Sequence, residues 1–174
     1  MKRRRKENKT DYKLRTGLLK SGMARIVVRR TNKYFIVQVV ESNEAQDKVI
    51  AMVTSKELLK NGWDVKMGGS LKSIPAGYLT GLLFAKKLSA THGTPTKKGT
   101  KAPASSGKEK YIMDLGMART LKGSRVFAVV KGLIDGGLYI SANEEVFPSE
   151  EKLNGEHLKD DVKVMIAKVR EGLK

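Results

Sequence analysis

The sequence predicts an α/β fold on a mixed sheet: an antiparallel three-strand meander followed by a parallel strand-helix-strand unit, with a basic N-terminal arm and a C-terminal amphipathic helix. Three observations carry this. Residues 25–53 hold three segments rich in β-branched residues with short polar connections, the pattern of a meander. Residues 111–140 read as strand, helix, strand, the unit that gives parallel pairing through a right-handed crossover. The charge is also uneven. Of a net +17, residues 1–33 carry thirteen bases against two acids, Glu7 and Asp11.

Taken in order, the chain opens on Lys2, Arg3, Arg4, Arg5 and Lys6, a block that repels itself and is expected to stay solvated and disordered until an anion neutralises it. Tyr12 lies inside this block, a flat face suited to a base or sugar. Thr10 is placed to cap a short helix carrying Leu14, Leu18 and Leu19 that stops at Ser21 and Gly22. From Arg25 to Arg30 the residues alternate, with Ile26 and Val28 facing a core and Arg25, Val27 and Arg29 facing away, so this strand should offer guanidinium groups. Asn32 and Lys33 read as a tight turn, Tyr34 to Glu41 as the second strand and Lys48 to Val53 as the third. Gln38 shares a face with Tyr34 and Ile36.

Ser55 should cap a short helix through Lys60 that Gly62 ends, with Trp63 packing just after it. Gly68, Gly69 and Ser70 mark a loop, and Pro75 suits the first turn of a helix running to about Leu88. Gly77 and Gly81 on that helix should admit a strand or RNA backbone closely. Residues 89–108 contain no apolar residue larger than alanine and read as a flexible basic insertion. Strand Tyr111 to Leu115 follows. A helix capped by Ser124, with Val126, Val129, Val130 and Leu133 on one face, comes next, and Gly136 and Gly137 lead to a strand over Leu138 to Ile140. From Ser141 onward eight acids meet six bases, and Leu158, Val162, Met165, Ile166, Val169 and Leu173 recur at helical spacing. That face should pack on the domain. The organisation expected is an arm and short helix over 1–22, a mixed α/β RNA-binding domain over 23–140 with the insertion at about 89–108, and a helical tail over 141–174.

Composition narrows the function. A pI near 10.1 with bases set among foldable sequence favours nucleic acid over an acidic membrane surface. No apolar run approaches the ~18 residues of a transmembrane helix, and no apolar segment follows the N-terminal charge, so neither a membrane span nor a secretory signal is expected. The absence of cysteine removes disulfides and thiolate metal sites and suggests an intracellular setting.

Catalytic motifs do not assemble. Gly116 to Ser124 has Lys122 before Gly123, the wrong order and spacing for a phosphate loop. A two-metal nuclease needs clustered carboxylates. Asp114 and Asp135 read instead as a carboxylate bonding loop amides and a helix-end surface group. His92 and His157 are isolated, so no metal site or cofactor is expected. A nucleic-acid-processing enzyme on a similar sheet remains the alternative.

Several stretches, in chain order, resemble the archaeal and eukaryotic branch of the ribosomal protein L-eighteen family. They are Arg3-Arg4-Arg5-Lys6-Glu7, Lys9-Thr10-Asp11-Tyr12, Leu18-Leu19-Lys20-Ser21-Gly22, Asn32-Lys33, Pro75 to Gly81, Asp114-Leu115-Gly116, Lys122 to Ala128, Asp135 to Ile140 and Gly155-Glu156-His157-Leu158. The resemblance implies a non-enzymatic protein of the large ribosomal subunit in the cytoplasm, binding 5S ribosomal RNA in the central protuberance. The 23S-type RNA and neighbouring ribosomal proteins are the further partners it implies. Its RNA-facing candidates are Arg3, Arg4, Arg5, Lys6, Lys9, Tyr12, Lys13 and Arg15 from the arm and helix, and Arg25, Arg29 and Arg30 from the first strand. Asn32 and Lys33 join them from the turn, and Gln38 from the second strand. The short ends fit the archaeal kind better than the eukaryotic one.

Overall fold

The computed structural model describes residues 2–43, 46–64, 70–92 and 110–173. Five strands, β1 (Arg25–Arg30), β2 (Phe35–Asn43), β3 (Gln46–Thr54), β4 (Lys110–Asp114) and β5 (Tyr139–Ile140), form one sheet in the order β3-β2-β1-β4-β5. β1 pairs antiparallel with β2 and β2 with β3, while β4 runs parallel to both β1 and β5. The meander and the parallel unit are both present as the residue pattern required. Thr31 closes the first hairpin: its hydroxyl accepts from Tyr34 N–H at 3.0 Å and donates to Tyr34 C=O at 2.7 Å, leaving Asn32 and Lys33 exposed at the tip.

Side-chain alternation decides which face of the sheet is covered. Ile26, Val28, Phe35, Val37, Val39 and Val53 point to one side and are almost wholly buried beneath helices α3 (Ile74–His92) and α4 (Arg125–Asp135), whose Phe84, Leu88, Val129 and Leu133 complete the core. The other side carries Arg25, Val27 and Arg29 of β1, which fall opposite Val40, Gln38 and Ile36 of β2. A third layer lies beyond α3. There Leu58, Trp63, Ala76 and Leu79 bury Leu153 of α5 (Glu150–Asn154) and Val162, Met165, Ile166, Val169 and Leu173 of α6 (Asp160–Leu173). The amphipathic tail thus packs on the domain, and Trp63 is a core residue, 3% exposed.

Two glycine positions fix how α3 and α4 cross. A Cβ on Gly81 would stand 2.4 Å from Val129 C=O, and one on Gly132 would stand 2.1 Å from Tyr78 C=O. Only hydrogen fits there. Gly81 therefore admits a helix, not the strand or RNA backbone expected, and Gly77 touches both α4 and Phe35 of β2.

Several local expectations are corrected. Arg3–Lys6 forms one helical turn, α1, where a disordered arm was expected. Glu7 draws Arg3 and Lys9 to 3.8 and 2.8 Å, and Arg4 Nε donates to Thr10 Oγ1 at 2.9 Å. Thr10 is not the cap of α2 (Tyr12–Lys20). Asp11 is, its Oδ1 accepting from Lys13 and Leu14 N–H, because a carboxylate suits the positive end of a helix better than a hydroxyl. Leu14, Leu18 and Leu19 gain no full burial there. Ser55 heads the 3-10 helix Ser55–Asn61 without capping it: Glu57 accepts from Thr54 N–H, while the Ser55 hydroxyl accepts from Phe35 N–H and donates to Leu71 C=O. Ser124 precedes α4 in the expected extended conformation, but its hydroxyl makes no cap bond. α3 continues to His92, so residues 89–92 are helical, and the rest of the insertion lies outside the described residues, as do Gly68 and Gly69. The tail holds the 3-10 turn Glu144–Val146 and two α-helices, with His157 in the connection between those two.

Candidate nucleic-acid interface

Parallel pairing sets Asp114 beside Val27, so the carboxylate lies on the outer face between Arg25 and Arg29, two residues either side. Its Oδ2 accepts from Arg25 at 3.3 Å, and its Oδ1 accepts from Arg29 at 2.8 Å and from Gly116 N–H at 2.9 Å. Arg29 also donates to Asp114 C=O at 2.7 Å. The second carboxylate is Asp47 of β3, which accepts from Arg25 at 2.9 Å and Arg15 at 2.8 Å, and from the Ser42 hydroxyl. Arg15, Asp47, Arg25, Asp114 and Arg29 therefore alternate in sign along one chain of contacts that ties α2 to three strands. Burial pushes the Asp47 carboxyl upward, but the Ser42 hydrogen bond and the charges of Arg25 and Arg15 outweigh it and hold the group below its ordinary 3.8.

This arrangement corrects the picture of β1 as a strand offering all its guanidinium groups. Arg25 is 3% exposed and its donors go to Asp114, Asp47 and Ser42, because a buried charge must be paired. Arg29 keeps 42% of its side chain exposed and Arg30 lies open at the strand end.

Between the N-terminal helices and the ends of β1 and β4 lies a cleft of about 380 Å³. Arg4 and Lys9 come from the arm, Arg15 from α2, and Arg29 and Arg30 from β1. Asp11 and Asp114 are the carboxylates on its wall, and Leu115 to Ala118 close the far side. Of the other residues singled out from the sequence, Arg3, Arg5, Lys6 and Lys13 are exposed around this opening's segment of chain without lining it. Tyr12 is half-buried, with the Lys2 ammonium 4.6 Å from its ring centre. Asn32 and Lys33 sit at the hairpin tip, and Gln38 lies on the outer sheet face with its amide 3.1 Å from Met52 Sδ. Sequence reading missed Asp47 as an organiser and the 115–118 wall. Asp114 bonding a loop amide was the signal closest to both.

The acids a nuclease would use are otherwise engaged. Asp114 faces two guanidinium groups, and Asp135 accepts from Tyr78 Oη at 3.0 Å and pairs with Lys131 at 2.9 Å. Among the described residues no three His or acidic side chains gather as metal ligands, and no helix is long and apolar enough to cross a membrane.

The profile of a family described as "Ribosomal large subunit proteins 60S L5, and 50S L18" matches residues 1–143. The large ribosomal subunit protein uL18 of Methanoregula boonei is 43% identical over 156 residues, covering 90% of this chain and 79% of the relative. The uL18 protein of Korarchaeum cryptofilum is also 43% identical over 156 residues, covering 90% of this chain and 70% of its own length. That of Methanoculleus marisnigri is 42% identical over 157 residues, at 90% and 78% coverage.

Proposed function

The chain belongs to the family of ribosomal large-subunit proteins 60S L5 and 50S L18, and from that premise we propose that it binds 5S ribosomal RNA through the cleft between α2 and the ends of β1 and β4. As a member it is a structural constituent of the large subunit in the cytoplasmic ribosome, partnered by ribosomal RNA and ribosomal proteins.

The observation that carries the RNA reading is convergence. Arg4, Lys9, Arg15, Arg29 and Arg30, from three separate segments, face one opening whose described lining holds two carboxylates, Asp11 and Asp114. Phosphate attracts such a cluster irrespective of sequence, while discrimination needs groups held in fixed geometry. The ion-pair chain supplies that geometry. Asp114 grips Arg29 at two points, so its planar fork is set before RNA arrives. Arg25 contributes as a positioning residue beneath the surface, and the arm residues Arg3, Arg5, Lys6 and Lys13 add attraction around the cleft. Tyr12, Asn32, Lys33 and Gln38 extend the same footprint toward the hairpin and open sheet face. The nuclease-like alternative finds no support, since the family is ribosomal and the two candidate acids are engaged, Asp114 by Arg25 and Arg29 and Asp135 by Tyr78 and Lys131, and we read the protein as having no catalytic role.

Mixing the protein with 5S ribosomal RNA and with an unrelated duplex of similar length tests this. Tighter retention of 5S RNA, weakened by Arg4→Gln with Lys9→Gln, is expected. Equal affinity for both RNAs would overturn it.

A further inference from the structure

Arg30, Met117 and Ala118 line the basic cleft on one side and a second cleft, of about 530 Å³, on the other. The second is walled by the loop that follows β4 and by the start of α4, and Arg119 and Arg125 flank it. Arg30, Arg119 and Arg125 are exposed, and none forms an ion pair with a described residue. That contrasts with Arg15, Arg25 and Arg29, each of which pairs with Asp47 or Asp114. Met117 and Leu121 stand out among these cations at 56% and 65% exposed.

We propose that this second cleft is a separate RNA-binding surface, which takes a stretch of phosphate backbone different from the one held in the first cleft. Three arginines with no acidic partner among the described residues keep their charge for a polyanion, and the guanidinium fork suits phosphate oxygens. Continuity across the Arg30 ridge places the surface where RNA leaving the first cleft arrives. Met117 and Leu121 would lie against sugar and base edges in a wide, shallow groove, which A-form RNA presents on its minor side. An acidic protein segment is the competing occupant, since apolar residues beside arginine also mark protein interfaces. Continuity with the first cleft favours RNA.

The proposal rests on the reading that the first cleft binds 5S RNA, and the test separates the two. The chain has no cysteine, so Leu121→Cys and Leu14→Cys each create one attachment point for a tethered iron-EDTA cleavage reagent, at the second and first cleft respectively. Bound to 5S ribosomal RNA, both should cut the strand, at two distinct groups of nucleotides. Arg119→Gln with Arg125→Gln should abolish the Leu121→Cys cuts, spare the Leu14→Cys cuts, and flatten the log affinity against log salt slope by roughly 1.4 to 1.8. Cutting from Leu14→Cys alone would overturn the second surface and leave the first standing. Cutting from neither would overturn both.

Discussion

Arg25 and Asp47 meet at 2.9 Å because the β2–β3 ladder slips by one residue at Val39/Val40. Before the slip, Met52 and Thr54 of β3 share the outer face with Gln38 and Ile36. After it, Val49 and Asp47 stand opposite Val40 and Ser42. A bulge changes which residues of a strand face each side. Without it Lys48 would lie opposite Ser42, placing a third cation beside Arg25 and Arg15.

Arg25 thus bridges two carboxylates from a buried position. Removing one member of a buried pair leaves an uncompensated charge and typically costs about 3–5 kcal/mol. Arg25→Ala should lower unfolding stability in urea by about 3 kcal/mol, at the low end because Asp47 is partly exposed. Arg25→Lys, which cannot serve both acids with a fork, should fall between. A loss below about 1 kcal/mol would place the pair among surface bridges of little consequence.

Asp47 sets an acid limb. Its folded-state pKa lies below the ordinary 3.8, so the unfolded chain takes up a proton first as pH falls. The stabilisation is complete above the unfolded value and is lost as pH drops through the folded one. Unfolding of Asp47→Asn followed from pH 6 to pH 2 should therefore depend less steeply on pH below about 4 than wild type. Parallel curves would show that Asp47 is not held by Arg25, Arg15 and Ser42 in solution.

The α3–α4 crossing has no space for a side chain. Overpacking a tight contact typically costs about 1–3 kcal/mol, and here the new methyl would meet backbone, which cannot rotate away. Gly81→Ala and Gly132→Ala should each destabilise by at least that amount, measured by thermal unfolding, while Gly17→Ala in α2, where nothing lies within 4 Å, should stabilise or change little.

Much of the fold was legible because it is periodic. Alternation over Arg25 to Arg30 named the core face correctly, helical spacing found α4 and the tail, and Asn32 with Lys33 marked the hairpin. What escaped were consequences of pairing between distant segments. Arg25 looks identical to Arg29 in the strand pattern, yet one is buried between two acids and the other half open, a difference set by neighbours 22 and 89 residues away. Capping went to Asp11 over Thr10 because α2 starts at Tyr12, which leaves Thr10 one residue too early for the cap position. The basic block was plain from charge alone, whereas the cleft it lines depends on the wall from Leu115 to Ala118, which has no charge to announce it.

Arg29 should carry discrimination more than attraction. Arg29→Lys keeps the charge but loses the fork that holds Asp114 at carboxylate and carbonyl together. Its affinity for 5S ribosomal RNA should drop roughly tenfold, the scale of one bidentate contact, with the salt slope unchanged and a smaller loss on an unrelated duplex. Equal losses on both RNAs would assign Arg29 to general attraction.

The central claim is that the cleft between α2 and the sheet is where ribosomal RNA is held, and the salt dependence of 5S RNA binding tests it most directly. Each phosphate contact contributes roughly 0.7 to 0.9 to the magnitude of the slope of log affinity against log salt. Removing two cations with Arg4→Gln and Lys9→Gln should therefore lower that magnitude by roughly 1.4 to 1.8. A slope equal to that of wild type, whatever the change in affinity, would mean that neither cation touches phosphate and that the RNA lies elsewhere.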